Sequence, residues 1–150
     1  MKYSNEIIID LPRDEVIKKF NDPDSAFKWM EGLQSWDVIS GEQGEEGTKS
    51  KMVFKSRGRT MEMEEEITKK DLPDMMNFVF TAKGVTNWND NRFESIDENR
   101  TKWVQSNVFK FKGMIKVMAF FMPGAFKKQS VKYMNDFKQY AEKGVDVNAK

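Results

Sequence analysis

A chain of 150 residues that is 33% charged, 39% apolar and 13% aromatic suits one domain with a buried core and is too aromatic for a disordered segment. Its formal net charge of +1 supplies no positive excess for nucleic-acid binding, so nucleic acid is not expected as a partner. Cysteine and histidine are both absent, which removes disulfides, thiolate metal sites, cysteine nucleophiles and the side chain most used for acid–base work near neutral pH.

Tyr3 to Asp10, rich in isoleucine, reads as a first strand. Leu11-Pro12-Arg13-Asp14-Glu15 then signals a helix start: proline near the first helical position and acids where the helix dipole favours them. Val16, Ile17 and Phe20 give that short helix its apolar face. Asp22-Pro23 repeats the signal, so a second short helix should hold Phe27, Trp29 and Met30 and leave through Gly32. From Gln34 the pattern changes to strands and turns. Strands are expected over Gln34–Ser40, Thr48–Ser56, Thr60–Lys70, Met76–Lys83, Val85–Ile96 and Thr101–Phe111. Gly41, Gly44 and Gly47 form a loop, and Arg57-Gly58-Arg59, Leu72-Pro73-Asp74, Gly84 and Asp97-Glu98-Asn99 turn the chain. Strands joined in order by short turns favour an antiparallel meander.

Met114 to Lys143 reads as helix broken or kinked at Pro123-Gly124. Beyond the break Phe126, Ser130, Tyr133, Met134, Phe137 and Ala141 mark one stripe at helical spacing. Gly144 should stop the helix, and the tail to Lys150 is expected to fray. The most apolar stretch, Met114 to Phe126, is too short to span a bilayer and is interrupted by Lys116 and Pro123. With no apolar signal region at the N-terminus, the expectation is a cytoplasmic, soluble protein without stable membrane insertion.

This order of elements resembles the START-like, or SRPBCC, superfamily, and in particular its polyketide-cyclase and lipid-transport-type members. The resemblance is carried by Leu11-Pro12-Arg13-Asp14-Glu15-Val16 after the first strand, by Asp22-Pro23 with Trp29, by the Gly41–Gly47 loop before Thr48, and by the stretch from Pro123 through Lys138. It implies an α+β helix-grip fold of one domain over 1–150: a strand, two short helices, a six-stranded antiparallel meander and a long C-terminal helix, around a cavity. It does not imply one activity, since the superfamily includes lipid carriers, hormone receptors, cyclases and co-chaperones.

Strand periodicity nominates the cavity lining. In Thr60–Lys70, Met61, Met63, Glu65 and Ile67 share one face, with Glu62, Glu64, Glu66 and Thr68 on the other. Glu65 is thus an acid on an apolar face. It is either a polar anchor for a ligand, hence paired, protonated or in contact with cavity water, or it sits at a bulge and points into bulk solvent. Asn87, Asn89 and Asn91 alternate with Trp88 opposite, and Trp103, Gln105, Asn107 and Phe109 share a face of the last strand. These faces make either an amide-rich cavity wall or a solvated surface, and in the latter case Arg92 turns inward with Trp88. The candidate ligand-binding set is Trp29, Phe54, Met61, Met63, Glu65, Phe78, Phe80, Trp103, Asn107, Phe121, Met134 and Phe137. No catalytic or metal-ligating residue and no cofactor is assigned. Val117 to Phe126 is apolar all round, which suits a buried segment, a gate over the cavity, a homodimer contact or a membrane-touching patch.

The leading expectation is a non-catalytic binder or carrier of a hydrophobic small molecule, a lipid or an aromatic metabolite. One alternative is a cyclase- or dehydratase-type enzyme using Glu65. Another is a chaperone-partner module.

Overall fold

The computed structural model describes residues 1–149. Strand β1 (Lys2–Ile9) leads into helices α1 (Arg13–Phe20) and α2 (Pro23–Trp29). The meander then runs through β2 (Leu33–Ser40), β3 (Lys49–Ser56), β4 (Arg59–Asp71), β5 (Met75–Ala82), β6 (Val85–Asp97) and β7 (Arg100–Phe111). Two helices follow, α3 (Met114–Phe121) and α4 (Gly124–Lys143). The sheet order is β1-β7-β6-β5-β4-β3-β2 with every pairing antiparallel. Successive strands pair with their neighbours, and β1 joins the free edge of β7.

Local chemistry explains the helices. Asp14 and Glu15 lie in the first turn of α1 and Lys18 and Lys19 in its last, both as the helix dipole prefers. Asp22 caps α2 by accepting the Asp24 N–H at 3.0 Å, with Pro23 in the first turn. Gly32 then takes a φ of +85°, and a side chain there would press a Cβ to 2.5 Å from the Lys55 carbonyl oxygen. The expected break at Pro123 is a full division: the α3 residues and the α4 residues form separate helices joined by Met122 and Pro123.

Segment 144–149 folds back against the end of α2. Gly144 ends α4 in the left-handed conformation, and the Val147 N–H then donates to the Lys28 carbonyl at 2.9 Å. The Asn148 amide donates to Phe27 O and Met30 O at 2.7 and 3.0 Å and accepts from Gly32 N–H at 2.9 Å. A helix C-terminus leaves carbonyls without partners, and Asn148 supplies them for α2. Lys150, the end of the tail expected to fray, lies outside the described residues.

The main core joins all layers: Ile9 of β1, Val16 of α1, Trp29 of α2, Phe93 of β6, Trp103 of β7, and Met134, Phe137 and Ala141 of α4. Phe137 is its hub. Its ring meets Phe20, Trp29 and Trp103 edge-on at centroid distances of 5.8, 5.1 and 5.3 Å, the geometry that ring quadrupoles favour. Phe137→Ala should therefore cost about 3–5 kcal/mol of unfolding free energy. Urea titration will measure it, and a loss below about 1 kcal/mol would show that the ring is not the hub described.

Candidate functional site

The concave face of the sheet does not close completely on α4. Between them lies a cavity of about 330 Å³, close to the lower limit for small-molecule pockets and room for about eleven waters. The C-terminal half of α4 packs on the sheet through Met134, Phe137 and Ala141. Its N-terminal half presents Phe126, Gln129, Ser130 and Tyr133 to the cavity instead. Phe20, Asn21, Pro23, Ala26, Trp29 and Met30, from α1, α2 and their connections, make another wall.

Of the candidate residues, Trp29, Phe54, Met61, Met63, Glu65, Phe78, Phe80, Trp103 and Asn107 line this cavity. Three do not. Met134 and Phe137 are buried in the core beside it, because the helix stripe they share with Ser130 and Tyr133 is divided between packing and cavity. Phe121 is 75% exposed on α3, since Pro123 lets that helix leave the line of α4. Of the alternatives for Val117–Phe126, the buried segment fails with it.

Periodicity places β4 as expected, with Met61, Met63, Glu65 and Ile67 all facing inward. Glu65 is only 3% exposed and pairs across the sheet with Ser50 and Phe80. Among the described residues its carboxyl completes no well-formed hydrogen bond. Burial pushes its pKa up to about 7, because the charged form loses hydration in an apolar surround. The indole N–H of Trp36 leans toward the carboxyl and draws the pKa part of the way back. That pair falls short of good geometry, so Nε1 of Trp36 stays buried without a partner. A donor and an acceptor thus both remain open beside the same cavity. Trp36 is not among the candidates, although it alternates with Val38 in unbroken register opposite Met52 and Ser50: alternation alone does not say which face of β2 turns inward.

The asparagine face also points inward, and Arg92 and Trp88 lie on the outer face. Asn91 donates to Asn89 Oδ1 at 2.7 Å, Asn89 to Asn107 Oδ1 at 2.8 Å, Asn107 to Gln105 Oε1 at 3.1 Å, and Gln105 to Asn91 Oδ1 at 3.0 Å. The four amides therefore close a ring. Trp103 Nε1 and Asn87 Nδ2 add donors to it at 2.9 and 3.1 Å. Of the amides here only Asn107 is in the candidate set, although the shared period-two spacing of Asn87, Asn89, Asn91 and Gln105 carried the same signal. In register, Glu65 pairs with Phe80 and Phe80 with Asn87, so carboxyl and amide wall stand two strands apart, about 10 Å across the sheet.

The raised Glu65 pKa has a sign. Between about 4.5 and about 7 the folded protein holds a proton that the unfolded chain has released, so stability is full below that window and falls as pH rises through it. Glu65→Gln removes the titration. The variant should gain on the wild type across this window, by about 3 kcal/mol at pH 8. Urea unfolding of both proteins at a series of pH values measures the gain, and a pH-independent difference would show that Glu65 is ionised throughout.

No protein-family model matches the chain, and no curated protein matches it in sequence. Solved structures do match in shape. A conserved protein from Geobacillus kaustophilus has a TM-score of 0.80 at 16% identity, over 96% of this chain and 97% of that one. The Zhui aromatase/cyclase from Streptomyces sp. R1128 has a TM-score of 0.72 at 15% identity, over 95% and 93%. Norcoclaurine synthase from Thalictrum flavum, solved in complex with dopamine and hydroxybenzaldehyde, has a TM-score of 0.70 at 11% identity, over 93% and 84%. With seven antiparallel strands, the short helices after β1 and the long helix α4 against the concave face, the chain has the START-like (SRPBCC-type) helix-grip fold.

Proposed function

We propose that this protein binds and carries a compact hydrophobic small molecule, one or two rings in size, bearing a hydrogen-bonding group. The observation that carries this reading is an apolar cavity with one carboxyl, Glu65, on its wall, well hydrogen-bonded to none of the described residues. Trp36 Nε1, buried without a partner, costs on the order of 1–3 kcal/mol, and a ligand hydroxyl set between it and the Glu65 carboxyl would recover it. The amide wall about 10 Å away offers a second polar contact, and Phe54, Phe78, Phe80 and the methionines supply an adaptable apolar surround. The small volume favours a ring compound over a long acyl chain. The aromatic ligands named for the norcoclaurine synthase structure are of this chemical kind, which supports the reading by analogy of fold.

One observation favours a second reading. A carboxyl with a pKa of about 7 exchanges protons readily at neutral pH, as a cyclase- or dehydratase-type reaction would require. Glu65 would then be the proton donor or acceptor.

Displacement of an environment-sensitive dye by a panel of phenols and arylamines tests the carrier. Saturable one-to-one displacement is expected, along with an approximately tenfold weaker affinity in Glu65→Gln for ligands that donate to the carboxylate. Native mass spectrometry of freshly purified protein should show a bound small molecule. Failure of dye and every panel member to bind would overturn the carrier reading. Turnover of a panel member that Glu65→Gln abolishes would replace it with the enzyme.

A further inference from the structure

The surface around α3 has a composition that neither the core nor the cavity requires. Phe120 and Phe121 are 79% and 75% exposed, and Met114, Val117, Met118 and Met122 are exposed beside them. Only Ala119 of this helix is buried. A contiguous apolar surface of this kind on a folded protein marks a contact with something apolar.

Its surroundings are basic. The chain carries no acidic residue from Arg100 to Asn135. Lys110, Lys112, Lys116, Lys127 and Lys128 flank the helix and are all exposed. The antiparallel register brings the β3–β4 and β5–β6 turns to the same end of the sheet, adding exposed Arg57, Arg59 and Lys83. Among the described residues none of these eight cations forms a salt bridge. In a protein of net charge +1, this end is therefore strongly polarised.

We infer that α3 docks this end of the protein on an anionic lipid surface, with Phe120 and Phe121 entering the headgroup–acyl boundary and the lysines and arginines facing the phosphates. A short helix with an apolar face of aromatic residues and methionine, set among cations, has the two attractions that interfacial binding combines. A second copy of the chain is a poor occupant, because pairing α3 with itself would bring these like charges together. No helix among the described residues is long and apolar enough to cross a membrane, so the attachment is peripheral. The docked end is also an end of the cavity. A Cβ built on Gly84 at the β5–β6 turn would meet the Ile115 side chain of α3 at 3.3 Å, while Ala82 and Val85 on either side of that turn line the cavity, as does Phe126 just after the α3–α4 break.

Co-sedimentation with vesicles tests this, using phosphatidylglycerol and phosphatidylcholine in equal parts against phosphatidylcholine alone. Binding to the anionic vesicles only is expected. It should weaken roughly a hundredfold in Phe120→Ser/Phe121→Ser and by about the same factor in Lys116→Glu/Lys127→Glu/Lys128→Glu. These residues lie outside the cavity, so both variants should retain dye binding, which separates failure of this inference from failure of the carrier reading. Absence of binding to anionic vesicles would overturn the inference. So would sensitivity to the charge variant alone, which would mark a simple polyanion site. A concentration-dependent dimer in light scattering, dissolved by the Phe variant, would assign the patch to self-association instead.

Discussion

The contact between the C-terminal half of α4 and the sheet governs the rest of the molecule. Phe137, set among Phe20, Trp29 and Trp103, fastens the helix at one end of the concave face. Met134 and Ala141 extend that seam. Toward its N-terminus the helix is held by Phe126 against Phe109 and Phe111 and by the Tyr3 hydroxyl, hydrogen-bonded to Phe126 O and Ser130 Oγ, while Gln129 and Tyr133 face the cavity. The space left between helix and sheet is the cavity. The cavity is lined by Trp29 and Trp103 of this cluster and by Phe109 and Phe126 of a second aromatic cluster nearer the start of the helix.

The two polar features of that opening differ in kind. The ring of Asn89, Asn91, Gln105 and Asn107 satisfies itself, and a closed network of this sort holds its members in fixed orientation. It gives the cavity a wall of constant shape and charge. Glu65 and Trp36 are the opposite: a buried acceptor and a buried donor, close but not joined. On the carrier reading proposed above, the first feature would orient a ligand and the second would bind it. Since the protonation of Glu65 changes near neutrality, the same carboxyl can donate a hydrogen bond or accept one, which widens the range of partner groups.

Much of the architecture was legible in the sequence because each element carried its own punctuation. Asp22-Pro23 announced α2, Pro123 divided the terminal helix, and the alternation of β4 identified the inward face that carries Glu65. What the sequence left open was a choice between symmetrical answers. Alternation divides β6 into a face with Asn89 and Asn91 and a face with Trp88 and Arg92, yet nothing local says which is concave, and the more hydrophobic tryptophan is on the outside. Helical spacing groups Phe137 with Ser130 in one stripe but cannot say where along it the helix leaves the sheet. Trp36 alternates with Val38, and the same ambiguity of face hid it. Phe121 was misplaced because an apolar helix usually finds cover in its own chain, and this one does not. Asn148 had no periodicity to reveal it, since its role is to cap a helix that ended 119 positions earlier.

That capping contact belongs with another feature of the topology. Within the sheet β1 pairs with β7 alone, with Ser4 and Ser106 meeting across 102 positions, and Asn148 reaches back to Phe27 across 121. Closing loops of this length costs entropy before any contact repays it. The hairpins of the meander, joined by short turns, face no such delay. In folding, the sheet from β2 to β7 can therefore assemble while β1, α1 and α2 still wait for their partners. The wall of the cavity that contains Trp29 and Ala26 would be the last to be set in place, so the chamber forms as an open trough before it becomes enclosed.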